Sequence, residues 1–525
     1  MLPTDPFDQR VAARLDEFWG WFTPWHRRLW NVGTVGAISE ILEASESLPR
    51  PALKSLQAEV RRLVGPDDAV GDTATREALG RLLNRDLTFR QSGWYGLNQL
   101  LSVINGGYLR RWANLVRGRS RPAVERLARS VAGHLLHSGF SPTYLHRWLR
   151  YRVQHRSDVV GIADLLEEAD ATLIGGRPRQ DFRVVIPVVV APEVGDSPPA
   201  EWLSAAQIAD LIARIQGHRT DLRQNGGFVL TVQARDQYVA VERGCELLDR
   251  WDARAELSTR NRIVRADRAW VEGVGEAIPF VPRRRQVDIG ALSRQNQIYC
   301  PLDQNETSMR IDDALQLVQP MEAGPLPAAI SGGWAAIESL LTEGQEVEKL
   351  AAPRLASIIA CSFPRAELTT LSYFHVENAD DTLASALRNE KENLRRARIM
   401  ADAISRGDAI AGRGPQDEAA RDRMFELLSS PRERLQSVRH YVEIAFNRLY
   451  RQRNVMLHGG KVSGDGRLQA LATAPPLVGA GLDRVVHAWF TEGTSPVELA
   501  ARAALAIELV GTEGGRHPTE LLEPW

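Results

Sequence analysis

Cysteine is almost missing from this chain. Cys245, Cys300 and Cys361 are its only three in 525 residues, far apart and without CxxC spacing. That excludes a disulfide framework and a cysteine-rich zinc cluster, and it suits a reducing cytosol. No uninterrupted apolar run approaches the about 18 residues a membrane span needs, and the opening "MLPTDPFDQRVAARLDEFWGW" has acidic residues where a secretion signal has an apolar stretch. A cytoplasmic protein with no membrane partner is therefore expected. Net charge is missing too: 65 basic residues meet 66 acidic ones, so any functional charge is local. Lysine contributes four of the 65; an arginine bias of this kind follows base composition and carries no functional weight. GxGxxG, GxxxxGK[ST] and GxSxG do not occur, which removes the phosphate-cradling loops and the nucleophile elbow, and no cofactor is expected.

What is present divides by hydrophobic period. Residues 1–165 repeat apolar side chains at three and four positions in "RVAARLDEFWGWF", "AISEILEASESL", "ALKSLQAEVRRLV" and "REALGRLL", the spacing of amphipathic helices. Trp19, Trp21, Trp25 and Trp30 crowd the first of these and read as an inter-helix seam. From 175 to 305 the text changes: "DFRVVIPVVV" and "GGFVLTVQARDQYVAVE" have strand composition, "EWLSAAQIADLIARI" and "YVAVERGCELLDRW" have helical spacing, and "NRIVRADRAWVEG" and "FVPRRRQVDIGAL" suggest further strands. From 320 to 525 helices return, punctuated by proline and glycine, with "AIAGRGPQDEA" as an exposed loop. The expected fold is α+β and mostly α, as a helical region, a mixed α/β domain and a helical bundle.

Two stretches carry chemistry. Residues 101–160 hold eleven arginines against Glu125 and Asp158, interleaved with Trp112, Trp148 and Tyr151. Arg110, Arg111 and Arg117 in this window are candidates for RNA phosphate contact. The alternative is a set of solvated helix faces. The second stretch is "LYRQRNVMLHGG", Leu449 to Gly460. Its Arg-x4-His spacing means little alone, because Arg129/His134 and Arg150/His155 repeat it. Context distinguishes the third copy. Asn454 follows Arg453 and lies one turn before His458. Val455, Met456 and Leu457 are available to the core, and the glycine after His458 supplies a helix stop. Arg453 stands about 140° round the helix from His458 and reaches it with its long side chain.

With "GGWAAIESLL" on an earlier helix, "RNVMLHGG" resembles the HEPN superfamily, in particular its Apea-like branch, over about 325–515. The resemblance implies a helical bundle that dimerises, two Arg-x4-His motifs in one composite cleft, and metal-independent endoribonuclease activity in toxins, antiviral defence or RNA surveillance. The family's arginine falls on Arg453, the polar residue after it on Asn454, its histidine on His458, and an acidic residue of an earlier helix on Glu338. Gly460 stands where one subgroup carries a tyrosine modified by a partner nucleotidyltransferase, so that regulation is not expected. The implied partners are RNA, a second copy of the chain and a phage-derived trigger or regulatory protein.

The residue types suit the reaction independently. RNA carries its own nucleophile, the 2′-hydroxyl, so a base near neutrality and a fixed cation on the phosphate suffice without a metal. Histidine and arginine are those groups. Arg448 and Arg451, on the same helix, extend a phosphate track or lie as solvated surface. The competing readings are a scaffold that holds nucleic acid or a protein partner without cutting, and a subunit whose enzyme is encoded elsewhere. In those readings His458 meets the helix dipole and Asn454 a carbonyl. His134 and His137 at HxxH spacing lack a third ligand and read as a satisfied pair. "NEKEN" at 389–393 reads as a solvated helix of alternating charge, and Cys361 as core.

Overall fold

The computed structural model describes residues 5–29, 32–46, 48, 50–155, 161–191, 199–279, 285–299, 305–343, 348–457 and 464–524. They form twenty-one α-helices and a small sheet of six strands, a mostly helical α+β fold. The chain folds into two compact units, one of residues 135–148 and 167–284, the other of 1–134, 149–166 and 285–525.

The sheet unit is built on β1 (Gln180–Val190), with β2 (Trp202–Leu203), β3 (Gly227–Ala234), β4 (Val264–Arg265), β5 (Arg268–Val271) and β6 (Val274–Pro279). The order is β2-β3-β1-β5-β6, with β4 also on β1, and every pairing is antiparallel. β1 reads as a continuous apolar run because both its faces are covered. Val184, Ile186 and Val188 join Phe228 and Leu230 in the core that takes Tyr238, Val241 and Leu248 of the helix Gln237–Thr259. Val185 turns the other way, to Ile208 and Ile212 of the helix Ala205–Gln216 and to Trp270. The turn into β3 requires glycine: Gly226 has φ +134°, and a Cβ there would stand 2.4 Å from the Trp202 ring.

One expected strand ends early there and another is absent. "GGFVLTVQARDQYVAVE" is a strand only as far as Ala234, and the expected helix over "YVAVERGCELLDRW" takes the rest, because Asp236 caps it by accepting from the amides of Tyr238 and Val239 at 2.9 and 3.0 Å. "RQVDIGAL" is irregular up to Gly290 and then enters the short helix Ala291–Arg294; 280–284 lie outside the described residues.

In the other unit the expected N-terminal and C-terminal helical parts are one body. Apolar packing contributes: Leu29 joins the core of Trp334, Ile337, Leu355, Ile359, Phe446 and Leu449, with Trp25 against it. So does a buried ionic network. Arg27 gives Nε to Glu367 at 2.7 Å and Nη1 to Asp417 and Glu17 at 2.7 and 3.2 Å. Arg14 pairs with Glu17 and, at 2.6 Å, with Glu125. Arg423 bridges Glu125 and Glu367 at 3.1 Å each, and Arg129 adds a contact to Glu125 at 3.2 Å. Four cations thus face four carboxylates from helices that are hundreds of residues apart, a pairing no sequence pattern announces. Asp417 also corrects the expected exposed loop: it is buried in the first turn of the helix Pro415–Ser429 and accepts from the Arg413 amide at 2.7 Å. The charged run at 389–393 is no continuous helix. One helix ends at Asn389 and another begins at Asn393, while buried Arg396 donates to the Leu387 and Glu390 carbonyls.

His26 lies against this network. Burial, opposed by Glu367 and reinforced by Arg27, pushes its pKa down to about 4. The folded state therefore keeps His26 neutral where the unfolded chain takes up a proton. Stability from this group is complete above the ordinary value of 6.5 and is lost as pH falls from there to about 4, a difference of about 3 kcal/mol for a buried group. Burial pushes His440, His487 and His517 in the same direction. Urea midpoints should fall between pH 7 and 5, and His26→Gln should flatten part of that slope. A midpoint unchanged over this interval would contradict the assignment.

Candidate functional site

The helix Pro431–Leu457 carries the Arg-Asn end of the motif. Leu435, Val438, Val442, Ala445, Phe446 and Leu449 recur at three and four positions and are buried in the bundle core. The next place on that stripe, four beyond Leu449, is Arg453. It is half-buried and donates Nη1 to the Asn454 side-chain oxygen at 3.0 Å. An arginine on the line of an apolar stripe, with its fork steadied by a neutral amide, suits a phosphate oxygen. Val455 is buried and Met456 packs against the core, but Leu457 is 59% exposed. The expectation that all three apolar residues turn inward fails at Leu457, which continues the Arg453–Asn454 side of the helix. His458, Gly459 and Gly460 lie outside the described residues.

Glu338 is on the helix Leu326–Leu341, which packs against the motif helix. The Trp334 ring meets the Tyr450 ring at 4.7 Å between centroids, and Gly333 lies beside Leu449. Glu338 stands one turn beyond Trp334 and Asn454 one turn beyond Tyr450, so both residues are carried by packed helices. Glu338 is half-buried.

Arg448 and Arg451 are placed differently from the expected track. Both point to N-terminal helices. Arg448 donates to Glu40 at 3.2 Å; Arg451 donates to Glu40 at 3.0 Å and to Glu59 at 3.0 and 3.2 Å. Burial alone would raise the Glu40 carboxyl, but Arg451 and Arg448 outweigh it and hold it down at about 2. Burial lowers Arg448, which bonds to Glu40, whereas Glu40 and Glu59, both bonded to Arg451, overcome burial there and raise it. Neither guanidinium is offered to solvent. Sequence reasoning missed Glu40 and Glu59 because they sit in ordinary amphipathic text, about 400 residues from their partners.

The basic window is met by carboxylates as well. Arg117 pairs with Asp164 at 2.7 Å, Arg121 with Asp5 at 2.5 Å, Arg126 with Asp68 at 3.2 Å and Arg150 with Asp16 at 3.1 Å. Arg147 pairs with Glu276 at 3.6 Å. Arg111 spends its guanidinium on the carbonyls of Ala69 and Gly106, both at 2.7 Å, and of Ile104. Arg110 is exposed. Part of the charge that this window carries as text is thus met by carboxylates in space. Arg111→Glu and Arg117→Glu should lower stability, by about 1–3 kcal/mol for Arg111, and leave the salt dependence of RNA binding unchanged. A slope reduced by about one per arginine would return them to phosphate contact.

The control motifs differ from the candidate. Arg129 lies over the Tyr441 ring at 4.1 Å, and His134 is buried against the Tyr108 ring, 4.6 Å between centroids. Cys361 is buried and donates to the Ala503 carbonyl at 3.4 Å. Among the described residues no group of three His, Cys, Asp or Glu side chains stands close enough to hold a metal ion, and no helix is long and apolar enough to cross a membrane. The chain matches no known protein family, no curated protein and no solved structure.

Proposed function

We propose that this protein is a metal-independent endoribonuclease of the HEPN type, acting in the cytoplasm as a homodimer. The supporting observation is the position of half-buried Arg453 on the line of the core stripe near the end of the motif helix, bonded to Asn454, with the histidine of the motif five residues on. In this reading His458 takes the proton from the 2′-hydroxyl as that oxygen attacks the adjacent phosphorus. The 5′-oxygen leaves, and a proton is returned to it by the histidine of the second copy. Arg453 grips the phosphoryl oxygens as their charge develops, Asn454 holds the guanidinium or the phosphate, and Glu338 orients a partner group on the neighbouring helix. The products are a 2′,3′-cyclic phosphate and a 5′-hydroxyl, and DNA is resistant because it has no attacking group.

A ribonuclease of this kind fits a toxin or antiviral effector, restrained until a trigger arrives. Expression in a bacterial host should arrest growth, with RNA cleaved and DNA intact, and both His458→Ala and Arg453→Ala should restore growth. Growth arrest that persists in both variants would remove the ribonuclease from the explanation. The scaffold reading draws on a different observation, the capture of Arg448 and Arg451 by glutamates, which leaves fewer cations for a bound strand. It expects RNA or partner binding without any cleavage.

A further inference from the structure

The motif helix is held on two sides. Leu435, Val442, Phe446 and Leu449 face the bundle core. Arg448 and Arg451, with buried Val455 on the same side, turn away from that stripe, and the two arginines are seized by Glu40 of the helix Thr34–Ala44 and Glu59 of the helix Arg50–Val64. This second grip falls within the last turns before Arg453, on the side of the helix that faces away from the core stripe. Each side chain of the cluster is buried or nearly so, with 6% and 11% of the two arginine side chains exposed and 12% and 16% of the glutamates.

We propose that Glu40 and Glu59 are positioning residues for the Arg453 site, fixing the end of the motif helix through Arg448 and Arg451. The consequence for activity rests on the ribonuclease reading. Frayed last turns would let the Arg453 guanidinium wander by an ångström or more from the phosphate, a displacement that costs up to about 100-fold in rate. The helices bearing Glu40 and Glu59 are then part of the site's frame, and the C-terminal bundle cut away from them would not be a complete catalytic domain.

The molecule supplies its own control, because the Arg27 network also ties N-terminal helices to the bundle, and its contact with the motif helix, Arg129 over the Tyr441 ring, lies about three turns before Arg453. Glu40→Gln with Glu59→Gln is compared with Glu17→Gln in the full-length protein, and Glu59→Gln alone serves where the double variant folds poorly. Amide hydrogen exchange across 448–457 and the kcat and KM of RNA cleavage are read below every melting temperature. The expected result is exchange faster by about 10-fold or more and kcat lower by about 10- to 100-fold for the Glu40/Glu59 variants, with KM little changed. Glu17→Gln should lower the melting temperature alone. Equal effects in both sets, or unchanged exchange across 448–457 in the Glu40/Glu59 variants, would overturn the positioning role while leaving the ribonuclease standing. A wild type that cleaves no RNA would overturn the ribonuclease reading, and the positioning role with it.

Discussion

His458→Ala should lower kcat for RNA cleavage by about 10²–10⁴, the range that general acid–base catalysis supplies, without unfolding the protein. The histidine moves the proton, so its loss acts on the chemical step and leaves KM nearly unchanged. Arg453→Ala should cost about 10²–10³, the loss of one fixed charge donor at the transition state. Arg453→Lys should recover little of it, because an ammonium cannot offer the planar fork that Asn454 steadies. The histidines of a composite cleft take opposite roles, so kcat should show a bell-shaped pH dependence, and His458→Ala should abolish it. Activity within twofold of wild type in either alanine variant would show that the motif is a helix end and nothing more.

The second large effect falls on the fold. Arg27→Met should destabilise the protein by about 3–5 kcal/mol, because it leaves Glu367, Asp417 and Glu17 facing one another without their shared cation. Arg27 now holds Glu367 at about 2 against the burial that would raise it. The wild type therefore has Glu367 stability above its ordinary value of 4.5 and loses it as pH falls towards 2. In Arg27→Met the Glu367 carboxyl rises instead and is relieved by protonation, so the gap between the two proteins should narrow as pH falls below about 5. Glu367→Gln added to Arg27→Met should recover part of the loss. Denaturant titrations at pH 7 and pH 4.5 check both statements, and a loss below about 1 kcal/mol at pH 7 would contradict the network's role.

Local pattern carries the helices, the two-sided strand β1 and the core stripe of the motif helix, because each depends on residues within a few turns of one another. The β-branched "YVAVE" fits both a strand and a helix for the same reason: composition favours the one and spacing the other, and the Asp236 cap, two residues before Tyr238, decides for the helix. Long-range charge pairing is beyond the reach of local pattern. Arg448 and Arg451 look like a phosphate track as text, and only the folded chain brings Glu40 and Glu59 to them. The basic window shows the same limit, since Asp5, Asp16, Asp68 and Asp164 lie outside it and return in space. Of the candidate site, Arg453 and Asn454 are legible because they abut in sequence and on the helix alike.

The most direct measurement is the chemistry of the cut ends. Purified wild type is incubated with a labelled RNA in excess EDTA, beside His458→Ala, and the termini are identified. The wild type should leave 2′,3′-cyclic phosphate and 5′-hydroxyl ends, and the variant an uncut substrate. Ends bearing a 5′-phosphate, cleavage that stops with the chelator, or equal cutting by His458→Ala would contradict the proposed mechanism.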